Sequence, residues 1–254
     1  MCSSCEAETP PKEVELLKAG EAPALTPQEE GGSYPIVPNE LAFYGHSLAD
    51  VNGVLVALAV GVYGKVLGTA VDADIWAMCR PYGEDGALGQ DAAWEKRGWT
   101  PQVVAKQLGK KIYGGPLSGP KAVVRGKQLF LLVSNFTLRD PPSPGVFGWE
   151  AADWDLALFV GGVEEPTAVG GGKQVSWATP VSLKTKLATE MQRHSWKELY
   201  AFGGARGVAV GEKKILFPLM GTSVGAEERR FACTVMYSED NGGQLEASCG
   251  ACGC

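Results

Sequence analysis

Asn52-Gly53 stands between two apolar runs, residues 47–51 and 54–60. A two-residue connection of this composition accepts the positive φ angles of a tight antiparallel turn. It therefore specifies a β-hairpin more firmly than any other short feature of the chain. The arrangement recurs. Gly126-Lys127 separates 121–125 from 128–134, and Gly211-Glu212-Lys213 separates 207–210 from 214–219. Residues 155–163 form a further strand-length run, and 231–237 another that leads into Ser238-Glu239-Asp240-Asn241-Gly242. The 34 glycines follow no collagen-like period and mark turns instead. The fold class is all-β, as propeller blades or as a sandwich; periodicity alone does not choose between them.

Two stretches interrupt the pattern. Residues 61–120 carry Trp76, Trp94 and Trp99 among charges, with no clean period. Residues 182–199 have a helical composition: Ser182 is placed to cap, and Leu183, Leu187, Met191 and Trp196 fall on one face. The first 32 residues hold seven Glu, two Lys and four Pro, and are expected to be a disordered acidic leader with at most one helical turn near 14–18. The folded part is expected to span 33–254.

Composition excludes several functional classes. A net charge of −6 without a basic run argues against nucleic acid. The longest apolar run, 54–60, is strand-length, so no membrane segment is expected. Residues 1–6 lack the basic start and apolar core of a signal peptide, and no apolar C-terminal tail follows. Of seven cysteines, Cys2 and Cys5 pair in C-x-x-C spacing, as do Cys249 and Cys252, with Cys254 last. Two such pairs would suit zinc if the termini met, but no histidine lies beside either and the whole domain separates them. No metal or cofactor is assigned. Cys79 and Cys233 lie among apolar neighbours and are expected to be small core residues.

A family resemblance emerges from longer blocks. Asp153-Trp154-Asp155-Leu156-Ala157-Leu158-Phe159-Val160-Gly161-Gly162-Val163 is followed by Val175-Ser176-Trp177-Ala178-Thr179-Pro180-Val181-Ser182-Leu183-Lys184. Phe202-Gly203-Gly204-Ala205 and Leu216-Phe217-Pro218 come next, and Phe43–Gly53 and 123–129 precede them. In order and spacing these blocks, over residues 43–254, resemble the trypanosomal trans-sialidase and sialidase superfamily. Ser238-x-Asp240-x-Gly242 resembles the Asp-box, the structural turn of sialidase blades. The resemblance implies a six-bladed β-propeller, of which this chain carries about the first three blades.

The resemblance also implies a chemistry. Family enzymes remove terminal sialic acid from glycoconjugates or transfer it to galactose. They use three arginines on the sugar carboxylate, an Asp as acid/base and a Tyr–Glu nucleophile. Tyr44 stands where the first arginine is expected, Val60 at the acid/base Asp, Val62 at a nearby sugar-binding arginine, and Gly119 at another Asp. Tyr200 takes the place of a Gln near the donor pocket, and Gly145 that of an acceptor-side Trp. Trp149 is the nearest aromatic substitute and the one substrate-binding candidate. His46 takes a proline's place and is expected to be a partly exposed loop residue. By this alignment the nucleophile-assisting Glu, the other two arginines and the nucleophilic Tyr fall beyond Cys254. No catalytic residue is therefore expected in this chain.

The expected function is a catalytically inactive sialidase or trans-sialidase relative. The alternatives are a non-catalytic surface protein that binds glycans or host proteins, and a truncated product without a role. Expected partners by resemblance are sialylated or galactosylated glycans. Family members are cell-surface proteins, but with no visible signal or anchor this chain receives no localisation.

Overall fold

The computed structural model describes Leu16 and residues 42–63, 70–82, 98–106, 112–113, 120–138, 151–164, 173–201, 206–224, 229–240 and 246–248. Three antiparallel sheets follow one another along the chain. The first contains β1 (Ala42–Val51), β2 (Val54–Tyr63), β3 (Ala70–Pro81) and β4 (Thr100–Lys106) in that order, with β5 (Ile112–Tyr113) on β3. The second holds β6 (Lys121–Arg125), β7 (Gln128–Leu138) and β8 (Ala151–Glu164), and β8 pairs both β9 (Gln174–Trp177) and β10 (Val181–Ser182). After the helix α1 (Ala188–Arg193), the third sheet runs β11 (Trp196–Tyr200), β13 (Lys214–Val224), β14 (Arg229–Ser238), β15 (Glu246–Ser248), with β12 (Val208–Val210) also on β13.

Each sheet is a meander whose first hairpin is set by a turn visible in the sequence. Asn52 and Gly53 adopt φ of 46° and 82°, so both central residues take the left-handed conformation that matches strand twist. Tyr82 closes the turn: its amide donates to Gly53 O at 2.9 Å, and its hydroxyl donates to the Asp50 carboxylate at 2.6 Å.

Period-2 alternation explains how three sheets stack. Along β7, Leu129, Leu131 and Val133 face the first sheet, joining Val54, Val56, Leu58 and Val60. The intervening Phe130 and Leu132 face the third sheet, joining Ile215, Phe217 and Leu219. The middle sheet is thus apolar on both faces, and its neighbours each bury one face on it. Polar ties cross the same seams. Arg125 donates to Lys214 O (2.8 Å) and Gly211 O (3.0 Å), and Gln102 Nε2 donates to Val175 O (3.1 Å). The leading strands β1, β6 and β12 lie side by side, with β6 touching both others. This is a stack of three propeller blades around their leading strands.

Three expectations need correction. The helix covers only Ala188–Arg193, flanked by β10 and β11. Leu183, Leu187, Met191 and Trp196 are all buried as a helical stripe requires, but Ser195 at φ 55° ends the helix and starts a strand. Ser182 does not cap it; its hydroxyl donates to Asp155 Oδ1 at 3.0 Å. Cys233 is exposed and disulfide-bonded, because on β14 the inward positions are Thr234 and Met236. Cys79 is buried and free, as expected. Cys2, Cys5, Cys249, Cys252 and nearly all of the expected leader lie outside the described residues.

Candidate functional site

The positions aligned with the clamp arginine and the acid/base meet at the open end of the first hairpin. From the Asn52-Gly53 turn the register runs Val51↔Val54 to Ser47↔Leu58, which would bring Tyr44 opposite Gly61. A bulge at Gly45 and His46 shifts the ladder by one residue, and Tyr44 pairs with Val60 instead. Gly45 takes φ of 65°, the conformation such an inserted residue needs. Val62 pairs with Ala42 two residues further out. His46 is therefore an exposed strand residue in a bulge, not a loop residue.

The chemistry at this end is sparse. Val60 is wholly buried. Tyr44 is at the border of exposure, and burial pushes its hydroxyl well above the usual tyrosine range, so it stays neutral and acts only as a hydrogen-bonding group. Below it the support is apolar. Trp76 packs on Gly61, where a Cβ would lie 2.7 Å from the indole, and meets Phe43 edge-on with centroids 6.3 Å apart. Ser47, just past the bulge, buries a hydroxyl that has no hydrogen-bond partner among the described residues.

The structure also buries three polar side chains that sequence reasoning did not single out, Lys121, Ser134 and Glu198. Lys121 opens β6 directly after Pro120. It is 2% exposed, and burial lowers its pKa. Ser134 Oγ accepts the Ala201 amide at 2.6 Å, tying the second blade to the chain after β11. Glu198 Oε2 accepts the Tyr200 hydroxyl at 2.6 Å and the Thr222 hydroxyl at 2.8 Å, all three side chains being buried. Tyr200 thus spends its hydroxyl inside the fold. The available signals were a lysine at the head of an apolar run and a glutamate between Trp196 and Leu199.

At the far end of β14, Ser238 is buried and donates to Asp240 Oδ1 at 2.8 Å; its oxygen also accepts the Asp240 amide at 3.3 Å. Gly242, Gly119, Gly145 and Trp149 lie outside the described residues. Among the described residues, no group of three or more His, Cys, Asp and Glu side chains is placed to hold a metal ion, and no helix is long and apolar enough to cross a membrane.

Known proteins resemble this chain in both sequence and fold. The BNR repeat-like domain matches residues 46–254. A sialidase of Trypanosoma cruzi is 31% identical over 128 residues, 48% of this chain and 10% of that protein. Trypanosoma rangeli sialidase bound to sialic acid superposes with a TM-score of 0.68 at 22% identity, covering 93% of this chain and 34% of that one. The same enzyme with 2,3-difluorosialic acid, a covalent intermediate, gives 0.69 at 23%, with 94% and 34% covered. The chain spans about a third of the solved sialidases and a tenth of the curated relative. The matched domain covers most of the chain, which belongs to the BNR repeat-like domain family and is similar in sequence and fold to trypanosomal sialidases.

Proposed function

We propose that this chain is a sialidase-type blade unit that does not carry out the sialidase reaction. The observation that supports this most is the Tyr44–Val60 pair. A buried valine stands at the aligned acid/base position, facing a neutral tyrosine at the aligned carboxylate clamp. Proton transfer to a departing glycoside needs a titratable group within hydrogen-bond reach, and a sialic acid carboxylate needs a cation. Neither side chain supplies one. Ser238, Asp240 and Gly242 serve in this reading as an Asp-box turn that closes a blade, a structural role consistent with the Ser238–Asp240 bonds.

A thermal-shift titration with the sialidase inhibitor DANA tests this reading. The expected result is no change in melting temperature. A saturable rise that disappears in Tyr44→Phe contradicts it, since ligand binding to the native state alone must raise stability.

A second reading is a non-catalytic binding member. It rests on the exposed His46 and the Tyr44 rim, and on relatives that are seen with sialic acid and its analogues. Its partners would be sialylated or galactosylated glycans, or a host protein, with Trp149 as a further aromatic contact. A glycan array with wild-type chain and the Tyr44→Ala, Trp149→Ala double variant separates the readings: signal lost in the variant supports binding, and a blank array removes the glycan part.

A further inference from the structure

The two cysteines among the described residues are opposites. Cys79 is 2% exposed and its thiol donates to Gln102 Oε1 at 3.3 Å, so it is a free thiol shielded inside the first sheet. Cys233 is disulfide-bonded and stands exposed on β14, where Thr234, Met236 and Ser238 take the inward positions. The sequence has seven cysteines. With Cys79 free, the partner of Cys233 is one of Cys2, Cys5, Cys249, Cys252 and Cys254.

Strand register selects among these five. β15 runs antiparallel to β14, from Tyr237↔Glu246 to Val235↔Ser248, so the ladder advances toward Cys233. Cys233 is the second residue beyond Val235, and Cys249 directly follows Ser248. Paired strands bring Cα atoms to about 5 Å, and a disulfide needs them within about 7 Å, so the first cysteines after Ser248 can meet Cys233 without displacing β14. Cys2 and Cys5 precede β1 of the first sheet, and a bond to either would close a loop of most of the chain, at a larger entropic cost. We propose that Cys233 is bonded to a cysteine of the 249–254 cluster, and that this bond is a reducible clasp holding β15 against β14. β15 is a strand of three residues, paired among the described strands with β14 alone. An edge that short opens readily, and a cross-link just beyond it removes its open conformations. Because Cys233 is exposed, a dithiol reductant can reach the bond. Exchange then breaks the protein S–S bond and forms one in the reductant, whose two electrons and two protons leave both protein sulfurs as thiols. The proposal is independent of whether the aligned site is active.

Peptide mapping tests the connectivity, with free thiols alkylated first and the chain cut after glutamate without reduction. Residues 229–239 should appear joined to 247–254, and the two should separate on reduction. Alkylated Cys233 in the unreduced chain overturns the proposal, and so does a bond from 229–239 to residues 1–6. Amide hydrogen exchange tests the clasp. The amides of Glu246–Ser248 should exchange about tenfold faster in dithiothreitol, and equally so in Cys233→Ser, while those of Leu219–Thr222 on β13 keep their rates. Unchanged exchange in β15 overturns the clasp. Equal acceleration in β13 also overturns it, because the bond then supports the whole sheet and not its last strand.

Discussion

The two ends of the first hairpin are built on different physics. At the turn end, Asn52 and Gly53 adopt backbone angles few residues tolerate, and polar bonds from Tyr82 lock them. At the open end, where the aligned site positions meet, the bulge at Gly45 and His46 sets the register, and the support is apolar: Val60, Gly61 and Trp76. The difference teaches that one hairpin is fixed by backbone geometry and polar bonds at its turn and by apolar packing at its open end. The contacts described at the open end are apolar packing of Trp76 on Gly61 and Phe43.

Substitutions can break this contrast, beginning with the largest effect. Trp76→Ala removes a fully buried indole beneath Gly61 and should cost about 3–5 kcal/mol in urea unfolding. Val60→Asp, which restores the aligned acid alone, puts a carboxylate at a wholly buried position and should cost about 3 kcal/mol. A near-neutral result there would mean the open end has polar support after all. At the turn end, Gly53→Ala forces a Cβ onto a residue at φ 82° and should cost about 1–2 kcal/mol, read from the same unfolding curves. Ser238→Ala removes one buried hydroxyl bond, for about 1 kcal/mol.

The smallest effect is in pH. Burial raises the Tyr44 pKa, so the folded state resists its ionisation. The group contributes its full stability below the unfolded tyrosine value of about 10, and that stability is lost as pH rises through the folded pKa. Tyr44→Phe should flatten this alkaline loss and remove the latest tyrosinate step in an ultraviolet titration. An unchanged alkaline profile would mean that Tyr44 ionises freely.

How much of this was legible depended on whether a strand had one wet face. β1, β2 and the β6–β7 and β12–β13 hairpins were readable because turn dipeptides bracket them. β3 was not. Trp76, Ala77, Met78 and Cys79 are consecutive buried residues, so alternation vanishes exactly where both faces pack. The region 182–199 misled in the opposite sense: Leu183, Leu187 and Met191 are spaced as in a helix, yet a turn and a strand share that buried stripe with six helical residues. At the site, the substitutions at Tyr44 and Val60 were visible in sequence, but their pairing was not. It depends on a one-residue bulge, and a slip of one residue changes every partner. The Glu198–Tyr200–Thr222 cluster joins two strands by tertiary contact and leaves no local pattern.

The most direct test of the proposal that this chain does not carry out the sialidase reaction is hydrolysis of a 4-methylumbelliferyl sialic acid glycoside by chain whose cooperative melt has been verified. The account predicts fluorophore release no faster than in buffer. Release above that rate, abolished in Tyr44→Phe, would contradict it.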